Sequence, residues 1–126
     1  MTHNHTLAIS QQPNPLFVVS SVMTGATRNL AKAMSKHLAQ SGVTVNVVNP
    51  GLTQTPLVDR VFGNISKATG SASSALMENA VKDIPLGRIA TPEDIAHYVG
   101  FLCGPTAAFL NGTTLNIDGG YTSTAW

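Results

Sequence analysis

The stretch from Val43 to Pro56, VTVNVVNPGLTQTP, decides the fold of this 126-residue chain. Its first half carries valine at positions 43, 45, 47 and 48, and such a valine-rich run is typical of a parallel strand covered on both faces. Pro50 lacks an N–H and fixes φ, and Gly51 permits a close backbone approach, so the strand must end in a turn. Open α/β sheets bind ligands at the carboxyl ends of their strands. We therefore expect this turn either to hold a ligand or to serve only as a loop.

The residues before this strand predict a βαβ unit. The apolar run from Leu16 to Val19 predicts a short strand, at the centre or the edge of the sheet. Between Ala26 and Gln40 the apolar residues recur at helical spacing, and Gly42 is placed to end that helix. Residues 1–15 have no periodicity and contain two prolines, so we expect a flexible arm there and one ordered domain over residues 16–126.

The residues after the strand predict more helix and one further strand. Residues 57–90 are less regular and predict a mobile lid with two helical pieces, the second from Ser71 to about Asp83. Thr91-Pro92-Glu93-Asp94 is a strong helix start, and the helix should run to Cys103. Asn111-Gly112 predicts a turn into a last strand, residues 113–117. The fold class is therefore α/β, with three parallel strands flanked by helices.

The composition excludes several classes of function. Charged residues make up 10% of the chain and the net charge is +1, so we expect neither nucleic-acid binding nor a membrane-surface patch. No run is long and apolar enough for a membrane span. The four histidines (His3, His5, His37 and His97) lack the spacing of a metal site. A single cysteine, Cys103, fits a reducing cytoplasm.

Three ordered blocks closely resemble the carboxyl half of the short-chain dehydrogenase/reductase family, and in particular its 3-oxoacyl-carrier-protein reductases. They are residues 46–51 (NVVNPG) with Thr55, residues 85–96 (PLGRIATPEDIA) and residues 111–120 (NGTTLNIDGG). The resemblance covers residues 16–121. It implies a partial Rossmann-like parallel sheet that holds its last three strands.

The resemblance also implies a cofactor, NAD(P)(H), and a small carbonyl or alcohol substrate. In the family, the turn after the sixth strand contacts the nicotinamide carboxamide and the pyrophosphate. Carried over to this chain, the cofactor contacts are Pro50, Gly51, Thr53 and Thr55. Amides and a threonine hydroxyl can orient a carboxamide and bind a phosphate oxygen. The alternative is a capped turn before a lid.

The same resemblance makes Ser21 the candidate catalytic serine, at the end of the strand predicted before it. The family's Tyr-x-x-x-Lys pattern, in which the lysine depresses the pKa of the tyrosine, occurs nowhere in the chain. An ungapped alignment places Ser20 and Thr24 at these two positions. Loss of about fourteen residues between Ser21 and Leu30 is the simpler interpretation.

The family's glycine-rich loop is absent as well. Residues 24–31 (TGATRNLA) echo it, but Asn29 and Ala31 stand at the second and third glycine positions, and the second glycine admits the pyrophosphate. We therefore expect weak cofactor binding and an oxidoreductase that is inactive as this chain alone. The alternatives are a non-catalytic module that associates with itself or with relatives, as homo-oligomers of the family do, and a degraded gene product.

Overall fold

The fold is a small parallel sheet flanked by four helices, as a computed structural model shows for residues 18–123. The predicted flexible arm, residues 1–15, lies outside the described residues. The α/β class is confirmed. In chain order the elements are α1 (Val18–Leu38), β1 (Val47–Pro50), α2 (Pro56–Thr69), α3 (Ser73–Lys82), α4 (Pro92–Cys103) and β2 (Thr114–Ile117), with short 3₁₀ turns at Ala39–Ser41 and Pro105–Ala107.

The sheet pairs β1 with β2 in parallel, from Val47 opposite Thr114 to Pro50 opposite Ile117. The crossover between them contains α2, α3 and α4. We predicted β1 at residues 43–48, but the strand begins at Val47 and includes Pro50 as its last residue. Proline is tolerated there because its missing N–H would face the edge of β1 away from β2, so the ladder loses no donor. The next N–H, that of Gly51, again donates to Ile117 O, at 2.8 Å.

The predicted strand at residues 16–19 is wrong. Val18 and Val19 open α1, a continuous helix of 21 residues, while Leu16 and Phe17 lie outside the described residues. A run of four apolar residues does not distinguish a strand from a helix, and a helix once nucleated extends at little cost. The described sheet therefore has two strands rather than the three predicted.

The predicted helix at residues 26–40 is present, and α1 begins eight residues before it. Its strongest helix formers lie after Ala26. In the earlier half, Thr24 and Thr27 turn their hydroxyls back onto the helix, donating to Ser20 O at 2.7 Å and to Met23 O at 2.9 Å. Gly42 ends the helical segment in the left-handed region, at φ 72°, as predicted.

The second half of α1 is attached to the turn that precedes β2. Asn111 bridges two segments: its Nδ2 donates to Ser35 O at 2.9 Å, and its Oδ1 accepts from Val45 N at 3.0 Å. Lys32 Nζ donates to Gly112 O at 2.9 Å. Gly112 has φ 71°, and a side chain there would collide with Ser35 and Lys32. The predicted Asn-Gly turn is thus also the contact that holds α1.

The remaining helices begin where the sequence places their caps. Thr55 caps α2 with its side chain, and Pro56 is the first helical residue. Thr91 and Asp94 form a complete capping box for α4, which ends at Cys103 as predicted. The predicted second helical piece of the lid is α3, and it is shorter than expected, at Ser73–Lys82.

The core of the described residues is small. Three apolar side chains are buried, those of Leu52, Ile84 and Ala107. Val19, Met23 and Leu30 on α1 are 72%, 64% and 60% exposed. An apolar helix face of this kind normally packs on a neighbour.

Candidate functional site

The candidate site is the turn from Pro50 to Thr55, at the carboxyl end of β1. All four residues predicted to contact the cofactor lie in this turn, within six consecutive positions. Pro50 is exposed, Gly51 is buried, and Thr53 and Thr55 are half-buried. The turn is therefore reachable from solvent on one side and packed against the protein on the other.

Gly51 has a structural task that the sequence did not reveal. A β-carbon placed on it would lie 2.6 Å from Asp118 Cα and 2.8 Å from Asp118 Cβ, both far inside normal contact. The close approach that this glycine permits is therefore to the end of β2.

A second attachment fixes the path of the turn beyond Gly51. Gln54 N donates to Ala90 O and Ala90 N donates to Leu52 O, both at 2.8 Å. Thr53 and Ala90 form an isolated parallel bridge. Thr53 and Ala90 lie far apart in the sequence, and no local pattern indicates that they pair. The sequence therefore did not predict this contact.

The two threonine hydroxyls have local partners. Thr53 Oγ1 donates to Gly51 O at 3.0 Å. Thr55 Oγ1 accepts from Val58 N at 3.4 Å and so caps α2. Thr55 thus has the capping role that the sequence offered as the alternative to a cofactor contact. The cap leaves the hydroxyl proton of Thr55 without an acceptor among residues 18–123.

The turn also offers backbone donors. Over the described residues, the N–H groups of Leu52, Thr53 and Thr55 donate to no protein acceptor, whereas those of Gly51 and Gln54 are paired. Unpaired amides next to a helix start can hydrogen-bond a carboxamide oxygen or a phosphate. The geometry therefore fits the nicotinamide side of the cofactor. The Leu52 amide adds a donor that was not among the predicted contacts.

Ser21 lies in the first turn of α1. The strand end on which we placed it is therefore wrong, and its catalytic role remains a prediction. Lys32 and the backbone of Ser35, in the second half of α1, supply the hydrogen bonds to the turn before β2.

The continuous α1 also bears on the missing Tyr-x-x-x-Lys. We preferred a deletion that removes the start of this helix, and the helix that is present runs unbroken through residues 20–24. Thr24 Oγ1 donates to Ser20 O at 2.7 Å, so the two residues lie one turn apart on the same face. A continuous helix is compatible with either alignment, so the loss of about fourteen residues stays a prediction.

Asp118 closes the far side of the site. Its carboxylate accepts hydrogen bonds from Gly120 N and Thr122 N, both at 3.0 Å, and from the Thr122 hydroxyl. Partial burial raises the pKa of Asp118, but the bonds from Thr122 and Gly120 outweigh burial, and the pKa lies below its ordinary value. Asp118 is therefore an anion near neutral pH whose acceptors are occupied by its own loop.

A small cleft of ≈ 70 Å³ lies between the turn and residues 84–94. Its lining is mostly apolar, and the charged groups that reach it are already paired: Arg88 with Asp94, and Asp118 with its loop. Among the described residues, the cleft therefore offers no unpaired charged side chain to orient a ligand.

Two further features, a metal-binding cluster and a membrane-spanning helix, are absent from the described residues. Residues 18–123 hold no cluster of three or more histidine, cysteine, aspartate or glutamate side chains that could bind a metal ion. Within the same residues, every helix is too short or too polar to cross a bilayer.

The fold and the turn define part of a Rossmann-like α/β domain. Residues 4–122 match the family model described as Enoyl-(Acyl carrier protein) reductase. The chain belongs to this branch of the short-chain dehydrogenase/reductase family.

Individual relatives agree with this assignment. A diacetyl reductase ((S)-acetoin forming) of Staphylococcus aureus is 31% identical over 117 residues, which cover 93% of this chain and 45% of the relative. A short chain dehydrogenase family protein of Francisella tularensis has a TM-score of 0.88 at 29% identity, covering 94% of this chain and 49% of that one.

The actinorhodin polyketide ketoreductase, solved with NADPH, has a TM-score of 0.84 at 27% identity, covering 94% of this chain and 46% of that one. The chain thus spans less than half the length of each of these three proteins.

Proposed function

We propose that this chain forms the nicotinamide-side wall of an NAD(P)(H) site in a short-chain oxidoreductase that reduces carbonyls or oxidises alcohols. The observation that carries the proposal is the turn after β1, which joins a family motif to three unpaired amides and a capped helix start. The solved relative that contains NADPH supports the choice of cofactor.

Each residue of the turn has a role in this proposal. Pro50 and Gly51 end the strand and set the path of the backbone, Gly51 by its contact with Asp118. The Leu52 and Thr53 amides bind the carboxamide of the nicotinamide, and the Thr55 hydroxyl donates to a phosphate oxygen while it continues to cap α2. When bound, the nicotinamide ring supplies or accepts the hydride.

Catalysis needs more than this wall. In our proposal Ser21 polarises the substrate carbonyl, but the chain has no Tyr-x-x-x-Lys to move the proton. Catalytic groups that act as a unit lose most of their effect when one of them is missing. We therefore expect the chain alone to bind cofactor weakly and to transfer no hydride.

A binding experiment with halves of the cofactor tests the wall directly. Nicotinamide mononucleotide, added to ¹⁵N-labelled protein, should shift the amide resonances of Leu52, Thr53 and Thr55. Adenosine, which carries neither a carboxamide nor a phosphate, should leave them in place. Equal shifts with both compounds, or none with nicotinamide mononucleotide, would contradict the proposal.

A matched pair of variants tests the hydroxyl. Thr55→Ser keeps the hydroxyl and should bind nicotinamide mononucleotide like the parent, whereas Thr55→Val should bind it more weakly because the phosphate loses its donor. Thr69→Val, at the carboxyl end of α2, controls for loss of a threonine elsewhere in the helix. Circular dichroism checks that α2 persists without its cap.

An activity assay tests the expected inactivity. Oxidation of NADPH or NADH is followed by the loss of absorbance of the reduced nicotinamide. The substrate is diacetyl or a 3-oxoacyl thioester. We expect no turnover above the rate without protein. Turnover by the purified chain that disappears in Ser21→Ala would overturn the inactive assignment and establish the serine.

A second candidate function is a non-catalytic interaction module that forms homo-oligomers. The exposed apolar residues of α1 favour it, since Val19, Met23 and Leu30 have no cover among the described residues. Light scattering coupled to size-exclusion chromatography should then show a dimer that Met23→Glu dissociates. A monodisperse monomer would rule this function out. The exposed free thiol of Cys103 suits a reducing cytoplasm for either function.

A further inference from the structure

Ala90 holds the candidate cofactor turn from one side. Its N–H donates to Leu52 O and its C=O accepts from Gln54 N, both at 2.8 Å. Thr53 lies opposite Ala90 in this parallel bridge. In a parallel pairing, the residue opposite the one that makes both bonds turns its own N–H and C=O to the other side. Ala90 therefore sets the direction of the Thr53 amide, which has no protein acceptor among residues 18–123.

The two peptide groups that flank Ala90 each make a second hydrogen bond, and both of these bonds end on one ion pair. In the group that joins Ile89 to Ala90, Ile89 O accepts from Arg88 Nη1 at 3.0 Å. In the group that joins Ala90 to Thr91, Thr91 N donates to Asp94 Oδ2 at 2.8 Å. Each peptide group thus bonds to the turn at one end and to the ion pair at the other.

The ion pair has a geometry that can fix both peptide groups. Arg88 Nη1 and Nη2 donate to the two carboxylate oxygens of Asp94, at 2.6 Å and 3.0 Å. A bidentate pair of this kind fixes the relative orientation of its two partners as well as attracting them. A peptide group is planar and stiff, so an orientation imposed at one end is carried to the other end. The direction of the turn therefore depends on two side chains that lie outside it.

We infer that Arg88 and Asp94 are positioning residues for the turn that we propose binds the nicotinamide, and that they act through the two peptide groups beside Ala90. The inference rests on the proposed function, because it concerns how the Thr53 amide is aimed at a ligand. Groups that are held in place before binding lose less conformational freedom when the ligand arrives. A nicotinamide compound therefore binds more tightly when the ion pair is intact.

Hydrogen exchange without any ligand tests the link between the ion pair and the turn. Arg88→Ala removes the ion pair and leaves the threonine cap of α4 in place. The Arg88 side chain is 57% exposed, so the variant should fold, which circular dichroism checks. Exchange at Ala90 N–H and Gln54 N–H should become about fivefold faster or more, because local opening becomes easier. Asp94→Asn keeps an oxygen for the N–H of Thr91, loses the ion pair and should act in the same direction.

Binding of nicotinamide mononucleotide tests the consequence for the site. Its affinity, measured by titration of the Thr53 amide resonance, should fall about threefold to tenfold in Arg88→Ala, a loss comparable to that of one hydrogen bond. Thr91→Ala is the matched control, because it removes the side-chain cap and leaves both the ion pair and the Thr91 N–H. This control lowers the stability of α4 and should bind the nucleotide like the parent, so lost stability alone would not reproduce the effect of Arg88→Ala.

Two further variants separate geometry from charge. Arg88→Lys keeps the positive charge, but an ammonium group lacks the planar fork that reaches Ile89 O and both oxygens of Asp94. It should weaken binding almost as much as Arg88→Ala does. Lys36→Ala removes an exposed positive charge near the end of α1 and should leave the affinity unchanged. Full affinity in Arg88→Lys would show that the charge attracts the phosphate directly, and it would overturn the inference.

The remaining outcomes distinguish this inference from the proposed function. Unchanged exchange at Ala90 and Gln54 in Arg88→Ala overturns the inference, even when the parent protein binds the nucleotide as proposed. Faster exchange with unchanged affinity overturns it as well, because the turn then needs no positioning. A parent protein that binds no nicotinamide mononucleotide contradicts the proposed function first, and the inference falls with it even where exchange shows that the ion pair holds the turn.

Discussion

Gly51 lies directly against the backbone of Asp118, so that a β-carbon on Gly51 would be 2.6 Å from Asp118 Cα. This contact joins the end of β1 to the end of β2. It also ties the candidate cofactor turn to the loop that Asp118 organises through Gly120 and Thr122. The position of the turn therefore depends on the absence of a side chain at residue 51.

Gly51→Ala should destabilise the protein by about 1–3 kcal/mol, because the new methyl group meets backbone that can move only with both strands. Urea unfolding followed by circular dichroism measures the change. Gly63→Ala is the matched control: it lies within α2 with no atom inside 4 Å of the added carbon. It should stabilise by about 0.5–1 kcal/mol, as alanine does in helices. Equal effects of the two substitutions would contradict the contact.

Asn111→Ala should loosen α1 from the sheet. The substitution removes the hydrogen bonds to Ser35 O and from Val45 N. We expect a loss of about 1–3 kcal/mol in the free energy of unfolding, at about 1 kcal/mol for each bond and more if a partner stays buried and unpaired. Faster hydrogen exchange at Val45 N–H should accompany it. Asn64→Ala, an exposed asparagine of α2, should change neither quantity measurably.

The parts of the fold that were predicted correctly are those with local causes. The capping box of Thr91 and Asp94, the stop at Gly42 and the Asn-Gly turn each depend on residues within a few positions of one another. Backbone geometry and hydrogen bonding over such distances leave few alternatives. The four turn residues of the candidate site were named from the family resemblance instead, and their contact with a cofactor stays a prediction.

The parts that were missed depend on distant residues. Asn111 acts on Ser35 and Val45 across intervals of 76 and 66 positions. Ala90 fixes the path of the turn, and Asp118 explains Gly51, yet neither contact leaves a pattern in the sequence. The assignment of Val18 and Val19 to a strand failed because a short apolar run does not distinguish a strand from a helix. Later residues of α1 propagate the helix through these two positions despite their β-branched side chains.

Thr91→Ala should destabilise α4 by about 1 kcal/mol, the usual cost of a lost side-chain cap. Thr91 Oγ1 accepts from Asp94 N at 3.2 Å, and Thr91 N donates back to Asp94 Oδ2 at 2.8 Å. Thr91→Ser keeps the oxygen and should retain most of the stability, as chemical unfolding would measure. If serine costs as much as alanine, the threonine methyl group and not the cap is the important feature.

The ion pair of Arg88 and Asp94 should make stability depend on pH. The two side chains form a double hydrogen bond, with Nη1–Oδ2 at 2.6 Å and Nη2–Oδ1 at 3.0 Å. The bond from Arg88, followed by that from Thr91 N–H, holds the pKa of Asp94 far below its ordinary value. A lowered carboxyl pKa stabilises the fold above the unfolded pKa of about 3.9, and this stabilisation is lost as the pH falls below it.

Asp94→Asn should therefore lower Tm at pH 7. The difference in Tm between the variant and the parent protein should narrow below about pH 4, because there the parent begins to bind an extra proton on unfolding. The Arg88 and Asp94 side chains are 57% and 31% exposed, so 1 M salt, with a Debye length of about 3 Å, should also reduce the difference at pH 7. Asp59→Asn, in the first turn of α2, removes a carboxylate outside this pair and controls for net charge. A difference in Tm between Asp94→Asn and the parent that is the same at pH 7 and pH 3 would show that the carboxylate contributes through packing, since a packing contribution does not titrate.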